Sequence, residues 1–180
     1  MVAMPLVVIE KLVEEPYPSI VCYPKATKTE LRKRLGELRR LGIVALEFTG
    51  EKRVLKAYVL GKGCVGIVVA AHKNSERVAL KIRRTDADRG SMRREAMMLR
   101  RANLADVGPR LLGVSKDFLI MQFVEGQLLP EWLEQKAGKA HLKRVLREVA
   151  EQCWRLDVSR FLRVSFRNLY VILSACPCFR

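Results

Sequence analysis

The sequence predicts an α+β protein. An antiparallel sheet built on a glycine-rich hairpin carries one packed helix. A small basic helical unit precedes it and a partly helical region follows. Three observations predict this. Gly61, Gly63 and Gly66 stand at G-x-G-x-x-G spacing, followed by the β-branched run Ile67-Val68-Val69 and then by Val78-Ala79-Leu80-Lys81. Leu31, Leu35 and Leu38 repeat at the helical period, as do Leu142, Val145, Leu146, Val149, Cys153 and Leu156. Short apolar runs at 43–48, 111–114 and 118–123 lie between turn residues and read as strands.

The composition sets bounds. With 180 residues and 49% apolar side chains, the chain has material for a real core. Its net charge of +15 favours polyanionic partners: nucleotides, nucleic acid or an acidic protein surface. The five cysteines are odd in number and scattered, which argues against a disulfide framework, and no C-x-x-C pair suggests zinc. No apolar run approaches membrane-spanning length, and no basic segment precedes the apolar start as in a signal peptide. The expected compartment is the cytoplasm, with no membrane partner.

In order, residues 5–24 carry four prolines and are expected to be extended with turns. Thr27 and Glu30 form a capping box for the helix ended by Gly42. Its other face carries Lys28, Arg32, Lys33, Arg39 and Arg40, a solvated face or a nucleic-acid-facing one. Residues 53–60 read as the strand entering the glycine loop. After a charged loop at 83–90, Ser91 is placed to cap a helix on which Met92, Glu95, Ala96 and Leu99 share one face. Glu95 is thus a carboxylate on an apolar face, where an unpaired charge is costly. Lys81 is its natural partner; Arg94 and Arg100 are the alternatives. Residues 128–136 read as a short helix containing Trp132. The stronger helix follows at 139–157, and 158–180 lose periodicity.

The glycine loop carries the chemistry. A dinucleotide-binding turn needs a helix after its glycines, and a Walker loop needs Gly-Lys-Ser/Thr. Here a strand follows, so the expectation is strand, loop, strand, then a third strand carrying Lys81. Glycines let the backbone approach phosphates and take positive φ. Ala79 and Lys81 face one side of their strand, and Val78, Leu80 and Ile82 the other. An ordinary hairpin with a solvated lysine is the competing reading.

Residues 60–157 resemble the N-lobe, hinge and first C-lobe helices of a protein kinase, in the compact form of the small archaeal and RIO-like atypical serine/threonine kinases. Four ordered motifs carry the resemblance: Gly61/Gly63/Gly66/Val68, Val78-Ala79-Leu80-Lys81, Glu95, and the hinge-like Met121–Val124. It implies a winged-helix-like basic appendage at 1–52, a kinase-like N-lobe and hinge at 53–126, and a partial helical C-lobe with an irregular tail at 127–180. It also implies ATP as ligand. Lys81 and Glu95 would hold the α- and β-phosphates, and Val68 and Ala79 would sandwich the adenine. Met121 would be the gatekeeper, and Gln122 and Val124 would offer backbone groups to the base.

A departure accompanies the match. With Asn168 aligned to the catalytic-loop Asn, Arg163 stands at the catalytic Asp, and no Asp follows Asp157 to hold magnesium. The expectation is a nucleotide clamp with no identified catalytic residue or metal ligand. Truncation, a frameshift and a natural pseudokinase each fit this incomplete C-lobe. A nucleic-acid-binding regulator with a nucleotide-sensing kinase-like module is the alternative function, and a protein substrate or acidic partner completes the expected partners.

Overall fold

A computed structural model of the chain describes residues 6–88, 90–126, 132, 134 and 138–158. It is α+β, with an antiparallel sheet and four α-helices among the described residues. Two compact units divide it: Met1–Ala96 with Leu111–Phe123, and Met97–Arg110 with Val124–Arg180.

In the first unit the strands are β1 (Leu6–Val8), β2 (Ile43–Glu47), β5 (Gly61–Lys62), β6 (Gly66–Lys73), β7 (Glu76–Arg83), β8 (Leu111–Val114) and β9 (Phe118–Gln122). They pair in the order β1-β2-β6-β7-β9-β8, with β5 also on β6. Between β2 and β5, β3 (Lys52–Val54) and β4 (Ala57–Val59) form a separate hairpin. The single strand expected over 53–60 is therefore broken, because the chain turns at Leu55-Lys56 and pairs back on itself.

Register assigns the faces, since paired residues point to the same side. Val68 pairs with Lys81 and Ala70 with Ala79, and these continue to Leu119 and Met121 on β9. The other side carries Ile67, Val69, Val78, Leu80, Ile82, Phe118 and Ile120, all buried in the main core.

That core is closed by α1 (Tyr17–Val21) and α2 (Lys28–Arg40), which contribute Ile20, Val21, Leu35 and Leu38. Extended structure was expected at 5–24. The chain instead forms β1, a 3-10 turn at Ile9–Val13, and α1. Pro16 and Pro18 permit α1 because they fall at its cap and first turn, where a missing N–H costs nothing. Thr27 caps α2, its Oγ1 accepting from Glu30 N at 3.2 Å. Gly42 follows the C-cap with φ +76°, the left-handed conformation that ends many helices.

In the same unit Arg93 N donates to Ser91 Oγ at 3.1 Å, which caps α3 (Arg93–Leu104). This helix starts in the first unit and runs into the second. There Ala102 and Val107 bury against Leu156 of α4 (Lys139–Val158). Asn103 Nδ2 holds the turn after α3, donating to Val107 O at 3.2 Å and Pro109 O at 2.9 Å. Of the apolar stripe expected on α4, Val145 and Leu156 are buried, whereas Leu146 is exposed. The short helix expected at 128–136 lies outside the described residues, apart from Trp132 and Glu134. So do Arg163, Asn168 and the tail from 159 on. No helix among the described residues is long and apolar enough to cross a membrane.

Candidate functional site

The glycine loop is a tight turn between β5 and β6. Gly63 N donates to Gly66 O at 2.8 Å, and Leu60 N to Val68 O at 2.9 Å. None of its three glycines takes a left-handed φ, contrary to expectation; Gly42, Gly50 and Gly108 do. Their roles differ. A Cβ at Gly66 would lie 2.6 Å from Ile82 O and 3.3 Å from Lys81 Cγ and Cε, so the fold itself requires this glycine. At Gly61 and Gly63 a Cβ would meet nothing closer than 3.8 Å. Chain packing gives no reason for glycine at those two positions.

The contact at Gly66 also locates Lys81: its stem runs under the third glycine. Its ammonium forms an ion pair with Glu95. Of the candidate partners for Glu95, it is the strand lysine that the structure selects. The side chains are 19% and 21% exposed, so the pair is shielded but open to solvent. Glu95 lies in the first turn of α3, which also favours a carboxylate. Val68, Ala79 and Met121 share the face of Lys81, and Ala79 and Met121 are 8% and 7% exposed. Gln122 ends β9, and Val124 follows it in the second unit. Gly61, Gly63, Gly66, Val68, Ala79, Lys81, Glu95 and Met121 are thus assembled on one unit. Among the described residues, no group of three or more His, Cys, Asp and Glu side chains is placed to hold a metal.

A second constellation was not foreseen. Arg34 is fully buried on α2. Its Nε donates to Glu30 Oε1 at 2.8 Å and its Nη1 to the carbonyls of Val21 and Arg83 at 2.6 and 2.7 Å. Asp117, also fully buried, accepts from Arg83 Nε at 2.7 Å and Lys33 Nζ at 2.9 Å, with Arg34 Nη2 at 3.4 Å. Burial alone would raise the Asp117 carboxyl. The hydrogen bonds from Lys33 and Arg83 and the nearby guanidinium charges outweigh it and hold it below the usual carboxylate range. Asp117 in turn raises Lys33 by its hydrogen bond. Glu37 Oε2 accepts from Ser115 Oγ at 2.6 Å and Asp117 N at 3.1 Å.

This network fastens α2 to the sheet, buries Arg34 and pairs the exposed Lys33 with a carboxylate. The signal was present in the sequence. Arg34 lies three residues after Leu31 and four before Leu38, on the apolar stripe. It is the same anomaly that singled out Glu95.

At another point on the sheet, Glu47 accepts from Arg77 at 3.0 and 2.7 Å, with His72 Nε2 at 3.4 Å. The Arg77 guanidinium lies 4.1 Å from the Phe123 ring centroid. These groups lie on the face that carries Lys81, since His72 pairs with Arg77 and Ala45. Compared with protein-family models, with curated proteins and with solved structures, the chain matches none.

Proposed function

We propose that the chain binds ATP through its glycine loop and the Lys81–Glu95 pair, in the manner of a serine/threonine protein kinase. One observation carries the reading: the Lys81 ammonium is aimed by Glu95 while its stem lies against Gly66. An ammonium oriented by a helix carboxylate beside a glycine-rich turn is the arrangement that holds α- and β-phosphates in kinases. The unforced glycines at 61 and 63 support it, because a ligand approaching the backbone accounts for them where packing does not. Val68, Ala79 and Met121 supply small or apolar surface on the same face for a flat base. Gln122, at the end of β9, would offer its backbone groups to the edge of that base. The proposal covers binding, not transfer: Arg163 stands where the resemblance would put the catalytic base, and a guanidinium accepts no proton.

Thermal unfolding with and without ATP tests it. Ligand at a hundred times its dissociation constant adds about 2.7 kcal/mol. Lys81→Ala is expected to lose most of that shift. Gly63→Ala is expected to melt like the parent without nucleotide and to gain less from ATP. No shift at millimolar ATP, with and without magnesium, ends the reading.

A second reading rests on α2. Lys28, Arg32, Arg39 and Arg40 remain exposed around Gly36, where a Cβ would meet nothing within 4 Å. A nucleic-acid-binding regulator whose kinase-like module senses nucleotide would use this face. Salt-dependent binding of DNA or RNA is its test.

A further inference from the structure

We propose that Tyr23 is a positioning residue for the glycine loop, gripping it from the face opposite Lys81. The proposal rests on the nucleotide-binding reading of that loop. Lys62 lies between Gly61 and Gly63 and pairs with Ile67, which in turn pairs with Ile82. Register therefore sends Lys62 to the side of the sheet that Lys81 does not occupy. Its ammonium lies 5.1 Å from the Tyr23 ring centroid.

The Arg84 guanidinium also lies 5.1 Å from that centroid. Two cations on one ring repel each other, and Asp86 relieves this. It accepts from Arg84 Nε at 2.8 Å and Nη2 at 2.6 Å, which raises Arg84 and lowers Asp86 from their ordinary values. Arg84 reaches the loop by its backbone as well, its N–H donating to Val65 O at 2.9 Å.

Tyr23 itself is held firmly. Thr85 N donates to Tyr23 O at 2.8 Å, and Thr85 Oγ1 reaches the same carbonyl at 3.2 Å. Arg34 ties the end of α1 to β7 through Val21 O and Arg83 O. Residues 21–23 are thus stapled to 83–85, and both segments hold 62–65. A loop closing over phosphates from the Lys81 side needs a fixed back. Tyr23 provides it through a cation–π contact and through Arg84. This also gives the segment before α2 an influence on the site without touching a nucleotide.

Amide exchange in the ligand-free protein tests the grip. Tyr23→Leu and Lys62→Met are expected to speed exchange at Gly63 and Arg84 roughly two- to five-fold, the size of an exposed cation–π contact, and to leave Leu80 unchanged. Tyr23→Phe and Lys62→Arg keep a ring and a cation, and are expected to exchange like the parent. Lys62 is exposed, so its variants are expected to fold even where a change at Tyr23 disturbs the core. In titrations, the same loosened variants should weaken ATP by a similar factor and leave adenosine unchanged. Parental exchange in Lys62→Met overturns the proposal. So does an equal loss for ATP and adenosine. If the parent binds no ATP, the nucleotide reading falls, and the exchange comparison still decides whether Tyr23 grips the loop.

Discussion

In the first unit, α1, α2 and the sheet enclose a core running from Val7 to Ile120, with Leu12, Leu38, Leu46 and Leu80 fully buried. In the second, the described residues bury only Ala102, Val107 and Leu156 as a cluster, and α4 leaves Leu146, Trp154 and Val158 at 49%, 65% and 61% exposure. Both helical stretches, α2 and α4, show the same apolar period in sequence. The period states which face of a helix seeks cover. Whether cover exists depends on a partner elsewhere in the chain. For α2 that partner is a sheet, which accepts leucines and, through Asp117, also a buried arginine. For α4 the described residues provide a much smaller surface. The chain's two tryptophans, Trp132 and Trp154, both belong to the second unit, so their fluorescence reports it separately.

The largest effect should come from the ionic network of the first unit. Asp117→Ala leaves the Arg34 guanidinium buried with Glu30 as its only carboxylate partner among the described residues. Breaking a buried pair in this way costs about 3–5 kcal/mol. Urea unfolding followed by circular dichroism is expected to show that loss, while the tryptophan transition stays in place. Equal shifts in both signals would show that the units unfold as one, and the contrast between them would fail.

Titration sharpens the same contrast, because two buried groups of the first unit act at opposite ends of the pH scale. Asp117 is lowered in the folded state. Its contribution is present above the unfolded value of about 3.9 and is lost as pH falls through the lower folded value. Cys22 is pushed from 9.0 to about 11, mainly by burial. Its contribution is intact below 9.0 and is lost as pH rises, because the unfolded thiol ionises first. The decline should reach about 1 kcal/mol at pH 10 and about 2 kcal/mol near pH 11. Cys22→Ala should flatten the decline between pH 9 and 10, before Lys33 titrates. An unchanged slope in that variant would mean Cys22 is not the group responsible. As a companion check, a thiol reagent should label exposed Cys64 at once and Cys22 only on unfolding.

Much of the first unit was legible in the sequence. The glycine spacing, the strand after it and the alternation around Lys81 place the hairpin and its faces. Glu95 is found because a lone carboxylate on an apolar stripe demands a cation. The ionic network around Asp117 was not found, because Asp117 looks like an ordinary turn residue between two strands. Only the packing of the turn between β8 and β9 onto α2 brings it to Arg34. Tyr23 was hidden for a related reason: prolines on both sides suggested an extended segment, and its partners lie about 40 and 60 residues away. By spacing alone, the roles of Gly61, Gly63 and Gly66 look alike. Only the approach of Ile82 O separates the one the fold needs from the two it does not.

The smallest expected effect concerns Gly36, and it separates the two readings of α2. A glycine inside a helix costs about 0.5–1 kcal/mol relative to alanine, mostly in backbone entropy. Gly36 has open space where a methyl would sit, so nothing in the chain opposes the substitution. Gly36→Ala is therefore expected to stabilise the first unit by about 0.5–1 kcal/mol, visible in circular dichroism and absent from the tryptophan transition. If the basic face is only solvated, that gain is the whole effect. If Lys28, Arg32, Arg39 and Arg40 grip a polyanion drawn close to the helix backbone, the same methyl stands between them. The variant then gains stability and loses nucleic-acid affinity, while its response to ATP is unchanged. Destabilisation by Gly36→Ala would contradict both outcomes and show that α2 packs differently around residue 36.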